Sequence, residues 1–100
     1  VRRYIMAIYI GLHNYTGKGI SNIDQTMERA ARFRELAKER EVSVRDIYWT
    51  QGDFDVISIV EGAEEAVTAL YMQLRKEGHV NSKLIRAFSP AEMTSILMGF

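Results

Sequence analysis

A glycine–aspartate pair set between two apolar runs constrains this chain more than any other feature. Residues 48 to 61 read Tyr-Trp-Thr-Gln-Gly-Asp-Phe-Asp-Val-Ile-Ser-Ile-Val-Glu, and a sharp reversal at Gly52-Asp53 turns them into two strands, Val44 to Gln51 and Phe54 to Glu61. A two-residue type II′ turn suits the pair, because glycine tolerates the positive φ required at the first turn position. That turn sets the register, with Gln51 opposite Phe54 and Thr50 opposite Asp55. Alternation then places Ile47, Trp49, Phe54, Val56 and Val60 on one face and Tyr48, Thr50, Asp55, Ile57 and Ile59 on the other.

The remaining elements arrange themselves around this hairpin. From Tyr4 to about Asn14 the chain is dense in isoleucine and tyrosine and almost free of charge, as a central strand buried on both faces would be. Its alternation separates Ile8, Ile10 and Leu12, read as core, from Tyr9, Gly11, His13 and Tyr15. After the loop Thr16-Gly-Lys-Gly, a helix starts at Ser21 or Asp24 and runs to about Arg40, with Met27, Ala30, Phe33 and Ala37 as its apolar stripe. Ala63 to Glu77 is a second amphipathic helix, with Gly78 placed as its C-terminal cap. Val80 to Phe88 is the fourth strand. Ser89-Pro90-Ala91-Glu92 is a capping box with proline at the first helical position, and it starts a short terminal helix with Met93, Ile96, Leu97 and Phe100 on one side.

Strand, helix, strand, strand, helix, strand is the split βαβ order of the ferredoxin-like α+β fold, a four-stranded antiparallel sheet with two helices on one face. At 100 residues and 47% hydrophobic content the chain has material for one core, so a single domain over residues 1–100 is expected. The second sheet face would expose Tyr9, Tyr48, Ile57 and Ile59, with Leu84 and Phe88 beside them, too much apolar area to leave wet. Burying each large apolar side chain is worth roughly 1.5 to 3 kcal/mol. A twofold homodimer through the open sheet face, closing into a dimeric α+β barrel with the helices outside, is therefore expected.

Charge narrows the partners. Thirteen basic residues balance thirteen acidic ones, which leaves no basic surface for nucleic acid or an anionic membrane. An RNA-recognition reading of the hairpin fails for the same reason, since Asp53 and Asp55 would repel phosphates. With no cysteine and two histidines, neither a disulfide framework nor a metal site is expected. Gly17-Lys18-Gly19 lies between a strand and a helix, but five residues separate Gly11 from Gly17 and no Ser or Thr follows Lys18, so it lacks the spacing of a phosphate-binding loop. No cofactor is expected. No apolar run approaches the ~18 residues that span a bilayer, and a cytoplasmic location is the expectation. Starting at Val1 points to processing or truncation, with Met6 as an alternative start.

Tyr48-x-Thr50-x-Gly52-x-Phe54-Asp55, followed by Glu61, resembles the signature of the GYD domain family, in which a Gly-x-Tyr-Asp string sits on the same hairpin. The resemblance takes in Tyr9, Asn14-Tyr15-Thr16 with Gly19, the first-helix region and Leu84-Ile-Arg-Ala-Phe-Ser89, nearly the whole chain from Met6. It implies a fold similar to the dimeric α+β barrels and carries no settled biochemical role. Phe54 stands where tyrosine is usual, Glu41 where a helix-ending glycine is common, and residues 1 to 5 are extra.

The face opposite the helices collects Tyr9, His13, Tyr48, Thr50, Asp55 and Arg86 as candidate ligand-binding residues. A histidine, a carboxylate and tyrosine hydroxyls around an apolar cavity suit a small polar-headed ligand. His13 and Asp55 are the catalytic candidates, His13 as a general base near neutral pH. The simpler reading is a hydrogen-bonded patch of Thr50, Asp55 and Arg86 inside the dimer interface. His79, after Gly78, is placed at a helix C-terminus, where the dipole favours a positive group, and Trp49 is read as core.

The expected function is thus small-molecule binding in a cavity between the sheet and its dimer partner. Fold analogy offers two alternatives. One is a cofactor-independent monooxygenase or isomerase in which His13, Tyr48 and Asp55 act on an aromatic or polyketide-like substrate. The other is an effector domain resembling those of leucine-responsive regulators, whose hairpin Gly52-Asp-Phe-Asp-Val resembles.

Overall fold

The computed structural model describes residues 6–99. Strands β1 (Ala7–Tyr15), β2 (Ser43–Trp49), β3 (Val56–Gly62) and β4 (Val80–Ala87) form one sheet in the order β2-β3-β1-β4. Every neighbouring pair is antiparallel. The helices are α1 (Gly17–Ser21), α2 (Thr26–Glu39), α3 (Glu64–Glu77) and α4 (Pro90–Met98). This is the ferredoxin-like α+β arrangement with an added C-terminal helix. No helix among the described residues is long and apolar enough to cross a membrane.

Local chemistry accounts for the helix ends. α3 begins with Glu64 and Glu65 and ends with Arg75 and Lys76, so both charge clusters complement the helix dipole, and Gly78 closes it at φ +82. α4 carries the full capping box, with Ser89 accepting from the Glu92 N–H and the Glu92 carboxylate accepting from the Ser89 N–H. α2 ends in a Schellman motif: the Val42 N–H donates to the Ala37 carbonyl at 2.9 Å and the Glu41 N–H to that of Lys38 at 3.0 Å. The left-handed position of that motif is occupied by Glu41 at φ +58, where glycine would sit without strain.

The expected first helix is broken. Thr16 accepts from the Gly19 N–H and caps α1, and a 3-10 turn over Ile23–Gln25 precedes α2. Met27 is therefore exposed rather than part of the inward stripe, which Phe33 and Ala37 provide. The hairpin keeps the expected register: Trp49 pairs with Val56, the Thr50 N–H donates to the Asp55 carbonyl at 2.8 Å, and Gly52 has φ +102. The regular ladder ends at Trp49 and Val56, two residues short of the expected Gln51–Phe54 pair, and the Asp55 N–H donates to the His13 carbonyl on β1 instead. At the far end a bulge between Val44 and Asp46 slips β2 by one residue against β3.

The two faces of β1 lie opposite to expectation. Ala7, Tyr9, Gly11 and His13 are buried, and the core they belong to includes Phe33 and Ala37 of α2, Val60 of β3, and Val67, Leu70 and Tyr71 of α3. Ile8, Ile10 and Leu12 face the other way. Pairing explains the reversal, since Tyr9 aligns with Val60 and His13 with Val56, the helix-side residues of β3. Leu84 likewise packs against the core rather than on the open face. The open face is instead an isoleucine lattice: Ile10 lies between Ile59 and Ile85, and Leu12 beside Ile57, which in turn faces Tyr48. Phe100 and residues 1–5, including the Tyr4 start of the first strand, lie outside the described residues.

Candidate functional site

Alternation along β3 reads Val56, Ser58, Val60 on the helix side, and the serine among aliphatics marks the site. Ser58 is 2% exposed and His13, diagonal to it on β1, is 3% exposed. The Ser58 hydroxyl meets His13 Nε2 at 2.9 Å and the Tyr71 hydroxyl at 2.6 Å, while His13 Nδ1 meets the Ser82 hydroxyl at 2.7 Å. The His13 ring stacks on Tyr71 with centroids 5.7 Å apart. Four side chains from β4, β1, β3 and α3 thus form one buried chain of hydrogen bonds, each satisfying the next.

Donor counting assigns the protons. The Tyr71 hydroxyl has Ser58 as its one recorded partner, so it donates there; Ser58 then donates to His13 Nε2, and His13 carries its proton on Nδ1, directed at Ser82. Burial lowers the His13 pKa to about 4 and raises that of Tyr71 to about 12, with the Ser58 hydrogen bond opposing the latter shift. Both groups are neutral at physiological pH. Gly11 makes the cluster possible, since a Cβ there would stand 2.6 Å from Ser58 Oγ and from the Tyr71 ring, and 2.7 Å from His13 Nε2.

Two members of this cluster, His13 and Ser58, line a cavity between the sheet and the two long helices, of about 70 Å³ measured to the centres of waters that would fill it. A single water needs roughly 10 to 15 Å³ by that measure, so the space suits a small molecule. Phe33, Leu36, Ile47, Val56 and Leu74 supply apolar walls. Polar groups gather on another side: Tyr15 and Thr26, joined at 2.7 Å, Trp49, whose Nε1 donates to Thr26 at 3.1 Å, and Arg29, Glu77 and His79. Trp49 is 41% exposed, so it belongs to the cavity wall rather than the core. The His79 pKa is lowered, first by burial and then by Arg29 and Lys18, with Glu77 opposing. The positive histidine expected at this helix end is therefore disfavoured.

Of the six residues expected to share a site, His13 alone lines the cavity. Tyr9 is buried on the helix side, across the ladder from Arg86. The Arg86 guanidinium sits 5.7 Å from the Tyr9 ring centre and 4.3 Å from that of Phe88, bonds to Glu92 at 3.2 Å, and so ties β4 to α4. Tyr48 is 54% exposed on the open face, its hydroxyl 3.3 Å from the Asp46 carboxylate. Thr50 donates to the Phe54 carbonyl at 2.6 Å, and the Asp55 carboxylate accepts the Tyr15 backbone N–H at 2.9 Å. Both brace the hairpin. No side-chain hydrogen bond links His13 to Asp55, and both His13 nitrogens are engaged, so a general-base role would require Ser58 or Ser82 to turn away.

Ser58, Tyr71, Arg29 and His79 were not singled out as site residues by the sequence. Ser58 alone carried a legible signal, as a polar residue at an inward position of an otherwise aliphatic strand. Tyr71 is indistinguishable from the apolar stripe of α3. A family model described as GYD domain matches residues 9–97, while no curated protein and no solved structure matches the chain.

Proposed function

The chain belongs to the GYD domain family, and on that premise we propose that it binds a small molecule in the cavity between the sheet and helices α2 and α3, as a homodimer joined through the open sheet faces. The observation that carries the binding reading is the cavity's composition: apolar walls, a few convergent polar groups and a buried hydrogen-bonded floor, the usual make-up of a ligand site. This moves the pocket from between sheet and partner, where the sequence placed it, to the other side of the same sheet.

The lattice of Ile8, Ile10, Leu12, Ile57, Ile59 and Ile85 supports the dimer. Asp46, Glu61 and Lys83 border it, giving the apolar centre and polar rim of a self-complementary interface. Sedimentation velocity at micromolar protein tests this half, and a single 11.5 kDa species would overturn it. The binding half is tested by thermal denaturation against a panel of small aromatic and branched aliphatic compounds. Ligands are expected to raise the transition temperature in wild type and to lose that effect when Leu74→Trp fills the cavity.

A further inference from the structure

We infer that the cavity is built for a small monocarboxylic acid with an apolar body, held at its charged end by Arg29 and His79; this deepens the binding reading above and rests on it. Three observations converge. Arg29 lines the cavity and has no carboxylate partner among the described residues. Its guanidinium is fixed in place, donating to the Asn22 carbonyl at 2.8 Å and the Gly19 carbonyl at 3.5 Å, which leaves further N–H donors of its planar fork free. His79 lines the same cavity, and its Nδ1 has no hydrogen-bond partner among the described residues; the atom is sealed as the ring stands, so the imidazole must turn toward the cavity to donate to a bound carboxylate, which would complete it.

Charge selects the class of ligand. Glu77 also lines the cavity, but its carboxylate is clamped by Arg32 at 2.8 and 3.1 Å, and that pair cancels. The cavity wall therefore presents one uncompensated positive charge, from Arg29, beside a neutral imidazole. One positive charge matches a carboxylate and leaves a dianionic phosphate half compensated. A cationic head would face Arg29 directly. The apolar lining of Phe33, Leu36, Ile47 and Leu74, with Trp49 beside it, asks for a ring or branched chain behind the carboxylate.

Trp49 is the chain's single tryptophan, so its fluorescence reports on the cavity directly. Titration of the full chain with benzoate, benzyl alcohol, benzylamine and phenyl phosphate is expected to rank benzoate first, about tenfold or more tighter than benzyl alcohol. Arg29→Met should remove that preference, bringing benzoate to or below the affinity of benzyl alcohol for the same variant; the wild-type ranking itself needs no variant. Saturating benzoate should also raise the His79 pKa, read from its imidazole resonances, because a carboxylate beside the ring favours the imidazolium. Equal binding of benzoate and benzyl alcohol, or a best fit to benzylamine or phenyl phosphate, overturns the carboxylate assignment and leaves the cavity reading standing. If no probe of any charge alters Trp49 emission, the cavity reading falls and this inference with it.

Discussion

The two faces of β1 reverse the usual distribution of polar and apolar side chains. The side packed under the helices carries a histidine, and beside it two serines and a tyrosine joined by hydrogen bonds, while the side turned away from the helices carries Ile8, Ile10 and Leu12 amid further isoleucines. Polar groups lie inside and apolar groups outside. The inside arrangement is affordable because every polar atom of the His13 chain has a partner, and it gives the core a unique geometry that aliphatic packing alone would not dictate. The outside arrangement is the one that the proposed pairing of two copies would cover. What the contrast teaches is that in this sheet hydropathy marks the face proposed for pairing and polarity marks the face under the helices.

Four measurements probe this contrast. Ile10→Lys places a charge at the centre of the lattice in both protomers of a dimer, and we expect it to weaken association by about 4 kcal/mol while leaving the monomer folded. Analytical ultracentrifugation beside circular dichroism would separate the two outcomes. If the variant unfolds outright, the outer face is part of the monomer's own core and the contrast is lost. On the inner face, Gly11→Ala should destabilise by about 3 kcal/mol, since the added methyl displaces Ser58, Tyr71 or His13; urea denaturation gives the number.

The same cluster predicts a pH dependence. Folded His13 has a pKa of about 4 against an ordinary 6.5, so the unfolded chain takes up its proton first as pH falls. Its contribution to stability is complete above pH 6.5 and is lost progressively down to pH 4, by roughly 3 kcal/mol. Urea midpoints between pH 7 and 4 should show that slope in wild type and not in His13→Gln; parallel curves would mean that the imidazole is not held neutral. The smallest effect is a control on neither face. Glu41→Gly relieves the left-handed residue after α2 and should stabilise by about 1 kcal/mol with no change in dimerisation or ligand binding.

Where local chemistry decides, the sequence was explicit. Gly52 announced the hairpin and its register, Gly78 the end of α3, and Ser89-Pro90-Ala91-Glu92 the start of α4, each through a constraint acting within a few residues. The sidedness of β1 was not legible because nothing local fixes it. Period two sorts its residues into two sets, yet the set that meets the helices depends on pairing with β3 across an intervening helix and strand. Ranking by hydropathy then chose the isoleucines for the core, and the tyrosine and histidine went to the wrong side. The candidate site inherited that error, because its six residues were chosen by shared face. Asp55 reads in the sequence as a catalytic candidate or as part of a patch with Thr50 and Arg86; its carboxylate accepts the Tyr15 backbone N–H and so ties the hairpin to β1, while Arg86 pairs with Glu92. Arg29 escaped notice because solvated helix faces usually carry such residues, and His79 reads as a helix-end group rather than as part of a cavity for the same kind of reason.

Gly11 has a consequence for how a chain of this design can diverge. Its missing side chain is the space that Ser58, Tyr71 and His13 share, so no substitution at residue 11 is open until one of those three has already become smaller. Conversely, once Ser58 is replaced by alanine, the glycine ceases to be neutral ground and becomes a vacancy that selection can fill. The four positions thus form one epistatic unit: in relatives of this protein they should be inherited or exchanged together, and a lineage that keeps the glycine but has lost the histidine would be one caught between two interiors.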